Sequence, residues 1–126
     1  MLFLENRFAM QETTYENVVR RLLEIIPEFH PDEEDVSDHL VHQVFGDLTD
    51  FVKSLLETAN SDQVVHRVFS FIEEAARSGD VRVLDAVRDS FLEGLADSPD
   101  HLHKSKKHMG RLTLKLLRQA RAYLNP

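Results

Sequence analysis

The sequence of 126 residues contains no cysteine. This absence excludes a disulfide framework, a zinc site with thiolate ligands and a thiol nucleophile. No apolar run approaches the roughly 20 residues that a membrane-spanning helix needs. The first residues, Met1 to Asn6, lack the basic start and the longer apolar stretch of a secretory signal. We therefore expect a cytoplasmic protein that does not associate with a membrane.

Glycine and proline are scarce, with four of each, and they fall between segments whose apolar residues recur at helical spacing. No segment has the apolar–polar alternation that predicts a strand. The sequence therefore predicts an all-α fold, a single-domain irregular bundle or short superhelix of five to six helices. We expect an N-terminal arm (residues 1–12) and a helical domain (13–126), which divides into an acidic body (13–97) and a basic C-terminal helix (98–125).

Side chains that cap or break helices predict the first boundaries. Thr13 and Glu16 have the spacing of a capping box at the start of the first helix, and Pro27 predicts its end. The next helical pattern contains Gly46, where the helix either breaks or continues. A break there would expose the segment 45–51, which carries two aromatic and two acidic side chains, as a contact surface.

The later boundaries have clearer signals. The run Asn60–Asp62 predicts a turn followed by a helix start. Gly79 predicts a C-terminal cap, and Asp80 predicts the N-cap of the helix that follows. Ser98 followed by proline predicts the start of the last helix, which Gly110 weakens.

Charge is divided unevenly along the chain. Residues 1–100 hold all 22 acidic side chains and only 8 of the 15 Lys and Arg side chains, a formal charge of −14. After Asp100 the chain has no acidic residue and seven basic ones: Lys104, Lys106, Lys107, Arg111, Lys115, Arg118 and Arg121. The net charge of −7 disfavours nucleic acid as the main partner and favours a basic protein.

The basic residues of the last helix step by three or four positions, which is the spacing of one helix surface. Such a stripe can bind phosphate. Interleaved aromatic residues are absent, however, so we favour a helix that lies against the acidic body and neutralises it.

Candidate catalytic residues are few. His39 and His42 share one helical face near Asp35 and Asp38, so with a remote carboxylate they could bind zinc in a metal-dependent helical enzyme. The pair lacks the glutamate of the His-Glu-x-x-His motif. We therefore favour a partly buried His42 and a surface His39, and we predict a protein without enzyme activity, metal or cofactor.

Two further groups have structural explanations. Glu73 and Glu74 are adjacent on one helix and cannot face one point, so we expect one to be half-buried and hydrogen-bonded across the hairpin and the other to be exposed. His101, His103 and His108 lie among lysines, where we expect solvated side chains rather than a pH switch.

Three stretches carry a resemblance when they are taken together. They are Leu23–Phe29, Val44–Phe51, and Phe71–Ala75 followed by Gly79-Asp80 and Ser90–Leu95. Their order resembles a group of small all-helical bacterial domains of uncharacterised function, some of which are similar to immunity proteins of polymorphic toxin systems. The resemblance covers residues 18–96 and leaves out the basic helix. It implies an all-helical fold and, for function, an immunity role.

We therefore predict an immunity or antitoxin-like protein that neutralises a cognate bacterial toxin by direct binding. The predicted contact surface is acidic and consists of Asp32, Glu33, Glu34, Asp35, Asp38, Asp47 and Asp50. Such a surface can plug the basic site of a toxin that acts on nucleic acid or nucleotides, with fast association. The alternative is a non-enzymatic helical adaptor or a homodimeric regulatory protein that uses an apolar helix face.

Overall fold

The computed structural model describes residues 12–31 and 40–124. These residues form six helices and no strand, which confirms the predicted all-α class. The helices are α1 (Val18–Ile25), α2 (Val41–Leu56), α3 (Asp62–Ala75), α4 (residues 81–96), α5 (Pro99–Ser105, continued by a 3₁₀ turn over Lys106–His108) and α6 (Arg111–Leu124). No described helix is both long and apolar enough to cross a membrane. The predicted arm, residues 1–12, lies outside the described residues except for Glu12.

Helix α1 does not begin with the predicted capping box. The N-cap is Asn17, whose side-chain oxygen accepts the Thr14 N–H at 2.8 Å. The Thr13 hydroxyl is buried and has no hydrogen-bond partner among the described residues. Glu16 forms an ion pair with Arg82 on another helix, at 2.9 Å, and is therefore not used as a local cap.

Helix α2 runs through Gly46 without interruption, so the predicted alternative of a break is wrong and the continuous helix is confirmed. Its buried side chains lie on one face and are Val41, Val44, Phe45, Leu48, Thr49 and Val52. The segment 45–51 is therefore not an exposed loop: Phe45 is buried in the core and Phe51 is half-buried.

The loop between α3 and α4 departs from one prediction and confirms another. No described glycine has a positive φ, so Gly79 is not a left-handed C-cap, and α3 already ends at Ala75. Glycine fits here because a Cβ would lie 2.9 Å from Glu12 Oε1, which accepts the Gly79 N–H. Asp80 is the N-cap of α4, as predicted, and accepts the Arg82 N–H at 3.0 Å.

The type of helix changes along α4. It is α-helical over Val81–Asp85 and Glu93–Ala96, and π-helical over Ala86–Leu92. Thr49 of α2 packs against this region, with its hydroxyl 3.0 Å from the Phe91 carbonyl oxygen. An α-helical periodicity in the sequence does not predict this π-helical segment.

The predicted basic helix 98–125 is two helices. Its start is correct, because α5 begins at Pro99 with Ser98 as N-cap. After the 3₁₀ turn the backbone of Met109 is extended, with φ −83° and ψ 135°, and α6 begins at Arg111.

The helices surround one core. Helix α2 contacts α1, α3, α4 and α5, while α6 contacts α3 and α4. Because many of these neighbours are not consecutive in sequence, the arrangement is an irregular bundle rather than a serial superhelix. Phe69 of α3 and Phe91 of α4 meet edge to face at its centre, with ring centroids 5.6 Å apart.

Candidate functional site

The structure describes only part of the predicted acidic contact surface. The acidic residues that precede α2 lie outside the described residues and are Asp32, Glu33, Glu34, Asp35 and Asp38. Asp47 and Asp50 lie on α2, where Asp50 is exposed and Asp47 is half-buried. The position of this part of the surface is therefore set by the continuous helix and not by a loop.

Asp50 has an acidic neighbour at the C-terminal end of α2 that the prediction did not include. Glu57, the C-cap of α2, is exposed and follows Asp50 by seven residues, which is close to two helical turns. Both positions lie opposite the buried face of the helix, and Ser54, also exposed, lies between them. We call Asp50, Ser54 and Glu57 the acidic face. This face could have been predicted from the sequence, because Asp47, Asp50 and Glu57 are separated by three and then seven residues, which is helical spacing.

A second surface of opposite charge lies on α6. Its buried side chains are Thr113, Leu116, Leu117 and Ala120. Arg111, Lys115 and Arg118 are exposed on the opposite side, separated by four and then three residues. We call these three residues the basic face.

The cations of α5 and α6 do not pair with the body. Lys104 pairs with Asp100 of its own helix at 3.2 Å. No carboxylate of the described residues lies within 4 Å of the other six, Lys106, Lys107, Arg111, Lys115, Arg118 and Arg121. The predicted packing of the basic segment against the body is confirmed, but through apolar side chains. The predicted neutralisation by ion pairs is not found between described residues.

Glu73 of α3 holds the start of α6. Its Oε1 accepts the Thr113 N–H at 2.9 Å and the Thr113 hydroxyl at 2.8 Å, and its Oε2 accepts the Leu112 N–H at 3.1 Å. Burial raises the pKa of Glu73, but the bonds from Thr113 and Leu112 outweigh it and hold the pKa below its ordinary value. A Cβ at Gly110 would overlap the Glu73 carboxyl group, so a side chain at this position would displace the carboxylate from its bonds to α6.

The predicted half-buried member of the glutamate pair is therefore Glu73, although it bonds to α6 and not across the α3–α4 hairpin. The prediction that the other member is exposed is wrong. Glu74 is half-buried and accepts a hydrogen bond from Arg21 of α1 at 2.9 Å. Each glutamate thus fixes a different neighbouring helix to α3, and the two carboxylates serve separate structural contacts.

The described residues contain only one member of the candidate metal-binding pair His39 and His42. His39 lies outside them, and the prediction of a partly buried His42 is wrong because His42 is exposed. His42 Nδ1 lies 2.5 Å from Ser90 Oγ and joins α2 to the π-helical turn. Within residues 12–31 and 40–124, no group of three or more histidines and carboxylates could hold a metal ion, and no carboxylate orients His42 as in a catalytic triad.

The three C-terminal histidines differ in environment. His103 is exposed, as predicted, whereas His101 is half-buried with its Nδ1 2.6 Å from Ser98 Oγ. His108 is half-buried and stacks on Phe69 at 6.1 Å between ring centroids. Its Nε2 is buried and has no hydrogen-bond partner within the described part of the chain. Burial lowers the pKa of His108, and the nearby Lys107 lowers it further.

A cleft of about 420 Å³ lies where α1, α2 and α4 meet, lined by Tyr15, Glu16, Val19, Val41 and Arg82. The Arg82 guanidinium lies 4.7 Å from the Tyr15 ring centroid and pairs with Glu16 and Asp80. The hydrogen bonds from Arg82 and from the Tyr15 N–H lower the pKa of Asp80 to about 2. The Arg82 guanidinium therefore holds Tyr15 and Glu16, which precede α1, against α4.

A second groove, of about 730 Å³, is lined by Arg88, Asp89, Glu93 and Gln119. The Arg88 guanidinium donates to Asp85 and to Asp89, both at 2.8 Å. Because Asp85 and Asp89 of α4 both pair with Arg88, this guanidinium is not available to bind a ligand in the groove.

Comparison with known proteins identifies a family. No curated protein and no solved structure matches the chain. A family model described as "Domain of unknown function (DUF7674)" matches residues 19–125 and so includes the basic helix, which the sequence resemblance left out. Because this match spans most of the chain, the protein belongs to the DUF7674 family.

Proposed function

We propose that this protein neutralises a cognate bacterial toxin by direct binding through an acidic helical surface. The observation that carries the proposal is the acidic face of α2, where Asp50 and Glu57 are exposed opposite the buried side of a continuous helix. Asp47 lies beside it, and the acidic run 32–38 precedes α2 in the chain. The resemblance of residues 18–96 to immunity-like domains supports the same function.

The physical mechanism is electrostatic. A body with a formal charge of −14 over residues 1–100 attracts a basic partner and repels nucleic acid. Toxins that act on nucleic acid or nucleotides need a basic site to hold phosphate. Carboxylates on a rigid helix can occupy such a site and exclude its substrate, and charge complementarity raises the rate of association.

The predicted alternative, an adaptor or homodimer with an apolar face, has less support. Among the described residues the large hydrophobic side chains that are exposed are Leu40 and Val81, 37% and 64% exposed. A stable interface buries about 800 Å² on each partner and has an apolar core. Two exposed side chains do not provide such a core.

The test begins with affinity capture from the native lysate at low and at moderate salt, followed by mass spectrometry. A captured protein is then purified and assayed for toxicity in growing cells, with and without the present protein. We expect a stoichiometric basic partner whose toxicity is relieved by co-expression and whose binding weakens as salt rises.

Two charge-reversal variants and a control locate the surface. Asp47→Lys/Asp50→Lys changes α2, and replacement of the five acidic residues in 32–38 by lysine changes the preceding run. Glu24→Lys/Asp97→Lys alters two exposed carboxylates elsewhere with the same change in net charge as the α2 variant. Binding and protection that survive both acidic-surface variants at wild-type strength would show that the proposal is wrong.

A further inference from the structure

The proposed function leaves the basic face of α6 without a role. Arg111 and Lys115 are separated by four residues and Lys115 and Arg118 by three, so three like charges are neighbours on one helix surface. Like charges at these spacings destabilise a helix unless an opposite charge approaches. No carboxylate of the described residues does so. An anion that pairs with the basic face would therefore come from outside the described part of the molecule.

The acidic face of α2 has a complementary pattern. Asp50 and Glu57 are seven residues apart, as are Arg111 and Arg118, so both pairs span about 10 Å along their helices. Each pair lies opposite the buried side of its own helix. Glu57 Oε1 lies 3.5 Å from His101 Nε2 of the same chain, but the Glu57 side chain is 67% exposed, so another molecule can still reach it. Two equally spaced faces of opposite charge are thus present on every copy of the chain.

A second copy is a better match to the basic face than a phosphate polymer. The net charge of −7 repels both nucleic acid and a second copy, but nucleic acid carries its negative charge continuously beyond the area of α6, whereas a second copy presents carboxylates in a local patch. The acidic face of another copy places two carboxylates at the spacing of the two guanidiniums. Guanidinium and carboxylate groups also match in their hydrogen-bonding geometry.

We propose that α6 of one copy docks on α2 of the next, with Arg111 and Arg118 opposite Asp50 and Glu57. The two faces differ, so the contact is head-to-tail and each end of an assembly keeps one face free. Exposed ion pairs are individually weak, so the association is weak, reversible and sensitive to salt. It needs no toxin and does not rest on the proposed function, but a partner that binds Asp50 would compete with it.

The test is sedimentation equilibrium of the purified full-length protein and of two variants. Asp50→Lys/Glu57→Lys removes the acidic face and keeps the basic one, whereas Arg111→Glu/Arg118→Glu does the reverse. All four positions are exposed, and circular dichroism verifies that each variant is folded. Glu24→Lys/Asp97→Lys is the control that changes net charge as the acidic-face variant does.

The wild type and the control are expected to gain mass with concentration, with the apparent Kd about tenfold weaker at 0.3 M than at 0.03 M salt. Each face variant alone stays monomeric, but an equimolar mixture of the two associates, because one supplies the acidic and the other the basic face. A monomeric wild type, variants that still self-associate, or a mixture that stays monomeric would each overturn the proposal. Because no toxin is present, these outcomes do not bear on the proposed function.

Discussion

Glu73 of α3 and Thr113 of α6, 40 residues apart in the chain, are joined by two hydrogen bonds to a single carboxylate oxygen, 2.9 Å from the backbone N–H and 2.8 Å from the hydroxyl. The first N–H groups of a helix have no partner within that helix. Glu73 thus acts as an N-terminal cap that is supplied by another helix, with its negative charge near the positive end of the α6 dipole. The helix that carries the basic face is fixed to the core at this point.

Glu73→Ala is expected to lower the free energy of unfolding by about 1–2 kcal/mol, because it removes this cap and leaves N–H groups of α6 unsatisfied. Urea denaturation measures the change. Glu24→Ala, which removes an exposed carboxylate 3.9 Å from Arg20, is the control and should cost about 0.5 kcal/mol or less.

The effect of Glu73 depends on pH in a defined direction. Its pKa is lowered in the folded protein, so its stabilisation is complete above the ordinary value of 4.5 and is lost as pH falls through the lower folded value. The stability difference between wild type and Glu73→Ala should therefore shrink in acid. A difference that stays constant from neutral pH down to about pH 3 would contradict the role of the ionised carboxylate.

Two glycines should respond to alanine in opposite ways. At Gly110 the new Cβ would overlap the Glu73 carboxyl group and displace it from its bonds to α6, so Gly110→Ala should destabilise the protein by about 1–3 kcal/mol. At Gly46, inside α2, nothing lies within 4 Å of a Cβ, so Gly46→Ala should stabilise it by about 0.5–1 kcal/mol. Thermal unfolding of both variants measures the contrast, and equal shifts of the same sign would contradict this account of Gly110.

Local signals in the sequence were sufficient for some of the fold. Asp80 and the Ser98-Pro99 pair begin helices where predicted, because a cap depends on residues two or three positions away. The break at Gly110 was predicted only as a weakening, since it depends on Glu73, which is far away in sequence. The capping box at Glu16 failed for a similar reason, because Arg82 of α4 binds that carboxylate.

The candidate site was predicted with less success. Choosing acidic residues by runs along the sequence found Asp50 but missed Glu57, because what they share is the outward face of α2 two turns apart. For the basic segment, the sequence predicted correctly that it packs against the body. It could not predict that apolar side chains and the Glu73 carboxylate hold α6 to the core while Arg111, Lys115 and Arg118 are exposed.

His108 should make the protein less stable as the pH falls. Burial and Lys107 lower its pKa in the folded state, His66 lowers it further, and Asp62 opposes them. The unfolded chain, with a pKa near 6.5, then binds the proton more readily. Stability is therefore complete above that value and decreases as pH falls through the lower folded pKa.

The measurement is urea denaturation of wild type and His108→Gln at pH 8 and pH 5.5. The wild type should lose more stability between these pH values than the variant does. His103→Gln, which changes an exposed histidine five residues earlier, is the control and should retain the wild-type dependence. If His108→Gln and His103→Gln give the same pH dependence, His108 does not contribute.

Thr49 and the π-helical turn give the last prediction. The Thr49 hydroxyl lies 3.0 Å from the Phe91 carbonyl oxygen and 3.2 Å from that of Phe45, and it is buried where α2 meets α4. Thr49→Val keeps the shape of the side chain but removes the donor. The Phe91 carbonyl then loses this hydrogen bond away from water, so the variant should be less stable by about 1–2 kcal/mol.

Thr58→Val provides the matched control for Thr49. The Thr58 hydroxyl donates to the Ser54 carbonyl at 2.9 Å, but Thr58 is exposed, so water replaces the lost bond and stability should change by less than about 0.5 kcal/mol. Equal effects of the two substitutions would mean that the buried Thr49 hydroxyl does not stabilise the π-helical segment. A larger effect at Thr49, together with faster hydrogen exchange of the amides in Ala86–Leu92, would identify Thr49 as the residue that holds the π-helical segment in place.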